Sequence, residues 1–180
     1  MKILVYCGLN DIEYFTPWYG HYDEYHLFEA HPSLAKKLKE ELPEDENIFL
    51  HDKAVWIEDK NLEFYFSTIN KAKNPQGSTI VQGKTTGGVD YTNPTIVNAI
   101  NFDEYLKSLP AGEIYLKMDI EGAEYQVLNH MKNNGSLDII DILDVEFHAY
   151  KFNDLTMISV HNETLSMIKE IVPKVIVQKI

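Results

Sequence analysis

Residues Tyr115–Leu128 read YLKMDIEGAEYQVL, and this stretch decides the fold. The segment Ile114–Asp119 is short, apolar and closed by a charge, which predicts a buried strand. Gly122 then opens a run in which Ala123, Val127 and Met131 recur at helical spacing, which predicts a helix over 122–132. In the strand, Lys117 and Asp119 fall on the same side. A carboxylate thus stands at a strand tip beside Glu121 and a glycine that permits close approach. Two readings stay open from spacing alone: a ligand site at the mouth of a sheet, or an acid (Asp119 or Glu121) that caps the next helix.

Outward from this unit, the pattern repeats. Ile3–Cys7 predicts a strand that ends at Gly8, and Tyr25–Glu29 a second. His31-Pro32-Ser33 opens a helix carrying Leu34, Ala35, Leu38 and Leu42, which stops before Pro43. Ile48–Trp56 reads as one strand, and Leu62–Phe66 as an extra strand or hairpin. Asn101 is placed to cap a helix over 102–109, with Asp103 and Glu104 in its first turn. Ile139–Phe147 is apolar enough for a central strand. Asn162 is placed to cap a helix carrying Leu165, Ile168 and Val172, and Val175–Ile180 closes the chain as a strand. Strands alternating with amphipathic helices predict a single α/β domain over 1–180, with a mainly parallel twisted sheet and helices on both faces. The stretch 70–94 breaks the pattern. It holds Gly77, Gly83, Gly87 and Gly88 between Asn-Pro turns and reads as an insertion, a candidate lid.

Composition narrows the function. The 180 residues are 44% hydrophobic and 12% aromatic, enough for a real core. One cysteine, Cys7, excludes a disulfide framework and a cysteine zinc site. Its place in a buried strand argues for packing rather than for a nucleophile. No apolar run reaches the ~20 residues of a membrane span, and Met1-Lys2 leads into no signal-peptide pattern, so a soluble, cytoplasmic protein is expected. The net charge is -12, and all 16 basic residues are lysine. Without arginine or a basic footprint, neither nucleic acid nor an anionic membrane is an expected partner.

Ligands of such sheets bind beyond the carboxyl ends of the strands. There the sequence places Gly8 and Asn10, then Glu29, then Asp52 and Ala54, then Asp119 and Glu121, then Glu146 and His148. Glu29 lies 21 residues after Gly8, near the spacing at which a carboxylate grips a ribose diol. No G-x-G-x-x-G accompanies it, so spacing alone favours the plainer reading, a turn followed by an exposed acid.

Taken together, these segments resemble the FkbM-type S-adenosylmethionine-dependent methyltransferases. LKMDIEGAEYQVL resembles the family's signature, and VYCGLND (5–11), LFEAHPSLAKKL (27–38), DKAV (52–55), NFDEYL (101–106) and IDILDVEFHAYKF (140–152) resemble its other motifs in order. The first loop departs from the family pattern: Tyr6, Leu9 and Ile12 replace an acid, an alanine and a glycine, while Gly8 and Asn10 persist. The resemblance implies a Rossmann-like methyltransferase fold and S-adenosyl-L-methionine as cofactor. It puts Gly8 and Asn10 at the methionine moiety, Glu29 at the ribose, Asp52 and Ala54 at adenine, and Asp119 with Glu121 near the methyl group. It implies O-methylation of a small or carbohydrate-like hydroxyl. The altered first loop also fits a binding module of this fold without turnover. A nicotinamide-dependent oxidoreductase fits less, for want of the glycine fingerprint.

Removing the hydroxyl proton requires a base, for which Asp119, Glu146, His148 or a desolvated Lys117 are candidates. His148 has the best unperturbed pKa, although a hydrogen-bonded histidine at a strand end is as good a reading. Asp119, Glu146 and His148 also make an oxygen and nitrogen donor set, but nothing in the spacing demands a metal and none is assigned. His21, His26 and His31, five residues apart, share no face and are read as solvated or core histidines. Oligomeric state is not readable.

Overall fold

The computed structural model describes residues 1–69 and 76–178. The first residues of the predicted insertion and the last two of the predicted closing strand lie outside them. In chain order the elements begin β1 (Lys2–Cys7), α1 (Ile12–Phe15), β2 (Glu24–Phe28), α2 (Pro32–Glu41), β3 (Ile48–His51), β4 (Ala54–Trp56) and β5 (Lys60–Phe64). They continue β6 (Thr95–Asn101), α3 (Phe102–Ser108), β7 (Glu113–Met118), α4 (Glu124–Asn134), β8 (Ile142–Glu146), α5 (Leu155–Ile171) and β9 (Lys174–Gln178).

Six strands form the central sheet in the order β3-β2-β1-β7-β8-β9, and every neighbouring pair runs parallel. The fold is α/β and Rossmann-like. The direction of chain order reverses between β1 and β7, which opens a crevice at their carboxyl ends. The period of two along each strand divides the core. Ile3, Val5 and Cys7 join Leu116, Met118, Leu143 and Val145 against Phe102 and Leu106 of α3, Leu128 of α4 and Ile168 of α5. Leu4, Tyr6, Tyr25 and Leu27 face the other way, onto Phe15 of α1 and Leu38 of α2. Burying one such leucine contributes about 1.5–3 kcal/mol, and truncating it to alanine costs more because a cavity remains.

A second, three-stranded sheet has the order β4-β6-β5, with β4 parallel and β5 antiparallel to β6. It corrects two sequence readings. The single strand expected over 48–56 is two strands in different sheets. β3 stays beside β2 only to Phe28↔His51, and Glu29 N–H donates to His51 O at 3.0 Å as the pairing ends. The chain then bends at Asp52-Lys53 and enters the smaller sheet as β4. Second, β6 occupies 95–101, next to the glycine-rich stretch, where no strand was expected.

Two helix starts also differ. α5 begins at Leu155, with Asp154 accepting from Thr156 N–H at 2.8 Å, well before Asn162. α4 begins at Glu124, and neither Asp119 nor Glu121 caps it. Glu124 itself reaches back to accept from Gly122 N–H at 2.9 Å and Ile120 N–H at 3.3 Å. The described part of the insertion is tied to the body through the bridges Tyr65↔Thr79, Ser67↔Val89 and Lys84↔Phe152. Among the described residues, no helix is long and apolar enough to cross a membrane.

Candidate active site

The carboxyl ends of β1, β2 and β7 open into a cavity of about 730 Å³, within the size range of small-molecule sites. Gly8, Asn10, Glu29, Ala54, Lys117, Asp119, Glu121 and Glu146 all line it. His148 is buried directly behind the wall, 3.5 Å from Asp119 Oδ1. Asp52 is exposed and outside the lining; its neighbour Lys53 takes that place.

At the β1–β2 end the loops are stitched by backbone. Gly8 N–H donates to Phe28 O at 2.9 Å, and Asp119 N–H donates to Cys7 O at 3.0 Å. Gly8 has φ +81°, and a Cβ there would overlap the carbonyl oxygen of Asp119, so only glycine lets the two loops meet. Asn10 follows with φ 63°, a left-handed conformation that asparagine tolerates. This turn aims Asn10 N–H at Glu29 Oε2, 2.8 Å away, while His31 N–H donates to Oε1 at 2.7 Å. Glu29 is therefore a buried, backbone-held acid, not the exposed acid that spacing favoured. Burial raises its pKa, and the N–H groups of His31 and Asn10 oppose the rise. Its oxygens retain lone pairs for further donors. Beside it, Asn10 Oδ1 is buried without a hydrogen-bond partner among the described residues.

The β7–β8 end is built from side chains. His148, with a fully buried side chain, meets Glu124 through Nδ1 at 2.6 Å. Among the described residues its Nε2 has no hydrogen bond, and it stands 3.4 Å from Glu146, 3.5 Å from Asp119 and 3.7 Å from Glu121. Burial alone would lower the imidazole pKa, but the Glu124 carboxylate, with Glu146 and Glu121, pushes it up to about 10. The unperturbed value that recommended His148 as a neutral base does not apply in this setting. Asp119 shows a third of its side chain to the cavity, yet protein surrounds the rest. Burial raises its pKa to about 7, with Glu146 and Glu121 adding to the rise and His148 opposing it.

Glu121 sits at φ 55°, uncommon for a residue with a side chain, and Gly122 follows where a Cβ would lie 2.6 Å from the Phe152 ring. The Glu121 carboxylate pairs with Lys84 and with Lys151, whose Nζ lies 2.8 and 3.0 Å from its oxygens. Burial would raise its pKa, but His148, Lys84 and Lys151 bring it below the usual carboxylate value. Lys84 also donates to Gly77 O at 2.6 Å, and Thr79 Oγ1 donates to Glu121 O at 2.8 Å. The insertion is thereby fastened onto Glu121. Lys117 is a paired cation: its ammonium lies 3.5 Å from Asp144 and 5.5 Å from the Tyr6 ring centre.

Sequence reading missed Glu124, Lys84 and Lys151. Glu124 carried the signal of an ordinary first-turn acid, Lys84 stands outside any motif, and Lys151 lies within the 140–152 segment without a pattern that marks it. Cys7 is buried, which pushes its thiol pKa up. His26 bonds Tyr105 and Glu24, whereas His31 meets Ser33 and packs on Phe66.

A parallel sheet whose order reverses at the site, with a glycine turn after its first strand and a buried acid after its second, defines an α/β domain of the class that binds ligands beyond the carboxyl ends of its strands. Comparison with family models is more specific: residues 7–171 match the methyltransferase FkbM domain, and the chain belongs to that methyltransferase family. No curated protein and no solved structure matches the chain.

Proposed function

We propose that the protein is an S-adenosylmethionine-dependent O-methyltransferase acting on a hydroxyl of a small or carbohydrate-like acceptor. One observation carries the reading: Glu29 and Asp119, from strands on opposite sides of the chain-order reversal, line the same cavity. The residues present suit the cofactor. Glu29 is fixed by two backbone N–H groups and has lone pairs left for the ribose hydroxyls. The orphaned Asn10 Oδ1 is a buried acceptor suited to the methionine ammonium. Ala54 offers a small, flat wall for adenine, and Lys53 replaces Asp52 at that wall. When bound, the cofactor supplies an electrophilic methyl group on a sulfonium.

The protein's task is alignment and proton management. Gly8 lets the Asn10 loop approach Asp119, so the two ends of the cavity are held at a fixed separation. Asp119 and Glu146 face the cavity at the β7–β8 end, where the proton of an acceptor hydroxyl would be taken up. Tyr14 and Trp18 add amphipathic rings suited to the apolar side of a sugar. Calorimetry tests the reading. S-adenosylmethionine and S-adenosylhomocysteine should bind and NADH should not. Absence of binding by either adenosyl ligand supports a module without turnover, and binding of NADH supports an oxidoreductase. With labelled cofactor, the label should pass to hydroxyl acceptors and not to amines.

A further inference from the structure

We infer that Asp119, Glu146 and His148 form a binding site for one divalent cation of the zinc and manganese class. The carboxylates alone would not establish this. The decisive feature is His148 Nε2: the side chain is fully buried, the atom has no hydrogen-bond partner among the described residues, and it faces the carboxylates of Asp119 and Glu146.

The spacing suits a shared ion. Donors each about 2.1 Å from one cation lie about 3.4 Å apart at the tetrahedral angle. His148 Nε2 stands 3.4 Å from Glu146 Oε1 and 3.5 Å from Asp119 Oδ1, and all three donor atoms lie within 4.8 Å of one another. Behind the imidazole, Glu124 holds Nδ1 at 2.6 Å and is itself anchored by Gly122 N–H. That contact keeps a proton on Nδ1, so a cation would bind at Nε2 by displacing the proton held there, facing the carboxylates. A carboxylate placed behind a ligating histidine in this way is the usual support of a metal site.

Charge points the same way. Asp119, Glu121, Glu124 and Glu146 surround the imidazole, and the lysines paired with this group are Lys84 and Lys151, both on Glu121. Among the described residues, four carboxylates face two ammonium groups and the imidazole, and a divalent cation that takes the place of the Nε2 proton balances them. A mixed imidazole and carboxylate donor set favours zinc or manganese over magnesium or calcium. Asp119 and Glu146 line the cavity, so the remaining coordination positions open toward it. An acceptor hydroxyl bound there would lose its proton more readily. That role rests on the methyl-transfer reading; the site itself does not.

The test uses the full chain, stripped with a chelator and dialysed. Zinc and manganese chlorides are titrated by calorimetry, with magnesium as control. Cobalt uptake is followed by visible absorption, which reports an imidazole and oxygen environment. The expected result is one zinc or manganese ion per chain. Glu146→Gln should weaken uptake by at least about 100-fold, and Glu124→Gln, which removes only the support, by about 10–100-fold. Glu124 is fully buried and its variant can fail to fold, so the partly exposed Glu146 is the decisive position. No uptake at millimolar ion, or uptake unchanged in Glu146→Gln, overturns the site. S-adenosylhomocysteine is titrated into the same samples. Its binding without ion uptake rejects the site and leaves the methyltransferase reading standing. Ion uptake without its binding does the reverse.

Discussion

At the β2 end of the cavity a single buried carboxylate, Glu29, is held by two backbone N–H groups; at the β7–β8 end four carboxylates crowd one imidazole. The first arrangement is local. Its donors come from the turn at Asn10 and from His31, one residue before the proline that starts α2, so the loop conformation itself sets the geometry. The second is assembled from β8, the start of α4 and the segments that follow β7 and β8, and it is stitched to the insertion through Lys84. Backbone donors give a fixed acceptor that suits a constant ligand such as a cofactor. A crowded side-chain cluster responds to charge, and it suits the part of the reaction in which charge moves.

Removing charge from the crowded end should cost the most in turnover. Asp119→Asn is expected to lower kcat by about 10²–10⁴-fold, the range of a proton-handling group, with a much smaller change in cofactor affinity. An unchanged kcat would take Asp119 out of the reacting end. Next comes the point where the two ends touch. Gly8→Ala puts a Cβ against the Asp119 carbonyl at φ +81°, and a loss of about 2–4 kcal/mol in denaturant unfolding is expected. A stability within ~0.5 kcal/mol of the parent would show that the loops do not need this contact.

Glu29→Ala probes the backbone-held end. It should weaken S-adenosylhomocysteine binding by about 10–100-fold, the worth of a hydrogen bond to a charged group, while ion uptake stays at the parent value. A loss of both together would mean that the two ends are not separable. The smallest effect lies away from the cavity, at His51, which pairs with Tyr105 OH at 2.7 Å. Burial lowers its pKa from 6.5 to about 4, helped by nearby His26 and Lys53 and opposed by Asp52. Between those values the unfolded chain takes a proton that the folded chain refuses. Its contribution is therefore full above pH 6.5 and lost as pH falls toward 4. Solvent screening of this half-open ring limits the effect to ~1 kcal/mol. Melting curves from pH 7 to 4.5 should fall less steeply for His51→Gln than for the parent, and parallel curves would remove His51 as a source of acid lability.

The contrast between the ends also explains what the sequence made legible. The β7 tip was readable because apolar alternation, a glycine and a helical face follow one another within fourteen residues, Tyr115–Leu128. The burial of Glu29 was not, because its partners are main-chain N–H groups that leave no trace in residue identity. Lys84 was hidden for a related reason: a lone lysine in a glycine-rich loop reads as solvated until the fold brings Glu121 beneath it. β6 carries asparagine at 98 and 101 and lies next to the glycine-rich stretch, which masks a strand. α5 starts early on a face where Leu155 and Ile158 are exposed, so apolar periodicity appears only further along, near Leu165 and Ile168. Asp154 was the available signal, since its side chain caps the first turn.

A crystal structure with S-adenosylhomocysteine bears most directly on the central claim, that one adenosyl ligand bridges the two ends of this cavity. The ribose hydroxyls should lie on Glu29 and the sulfur should face Asp119. A ligand seated anywhere else on the sheet, or a cavity that stays empty at saturating ligand, would contradict it.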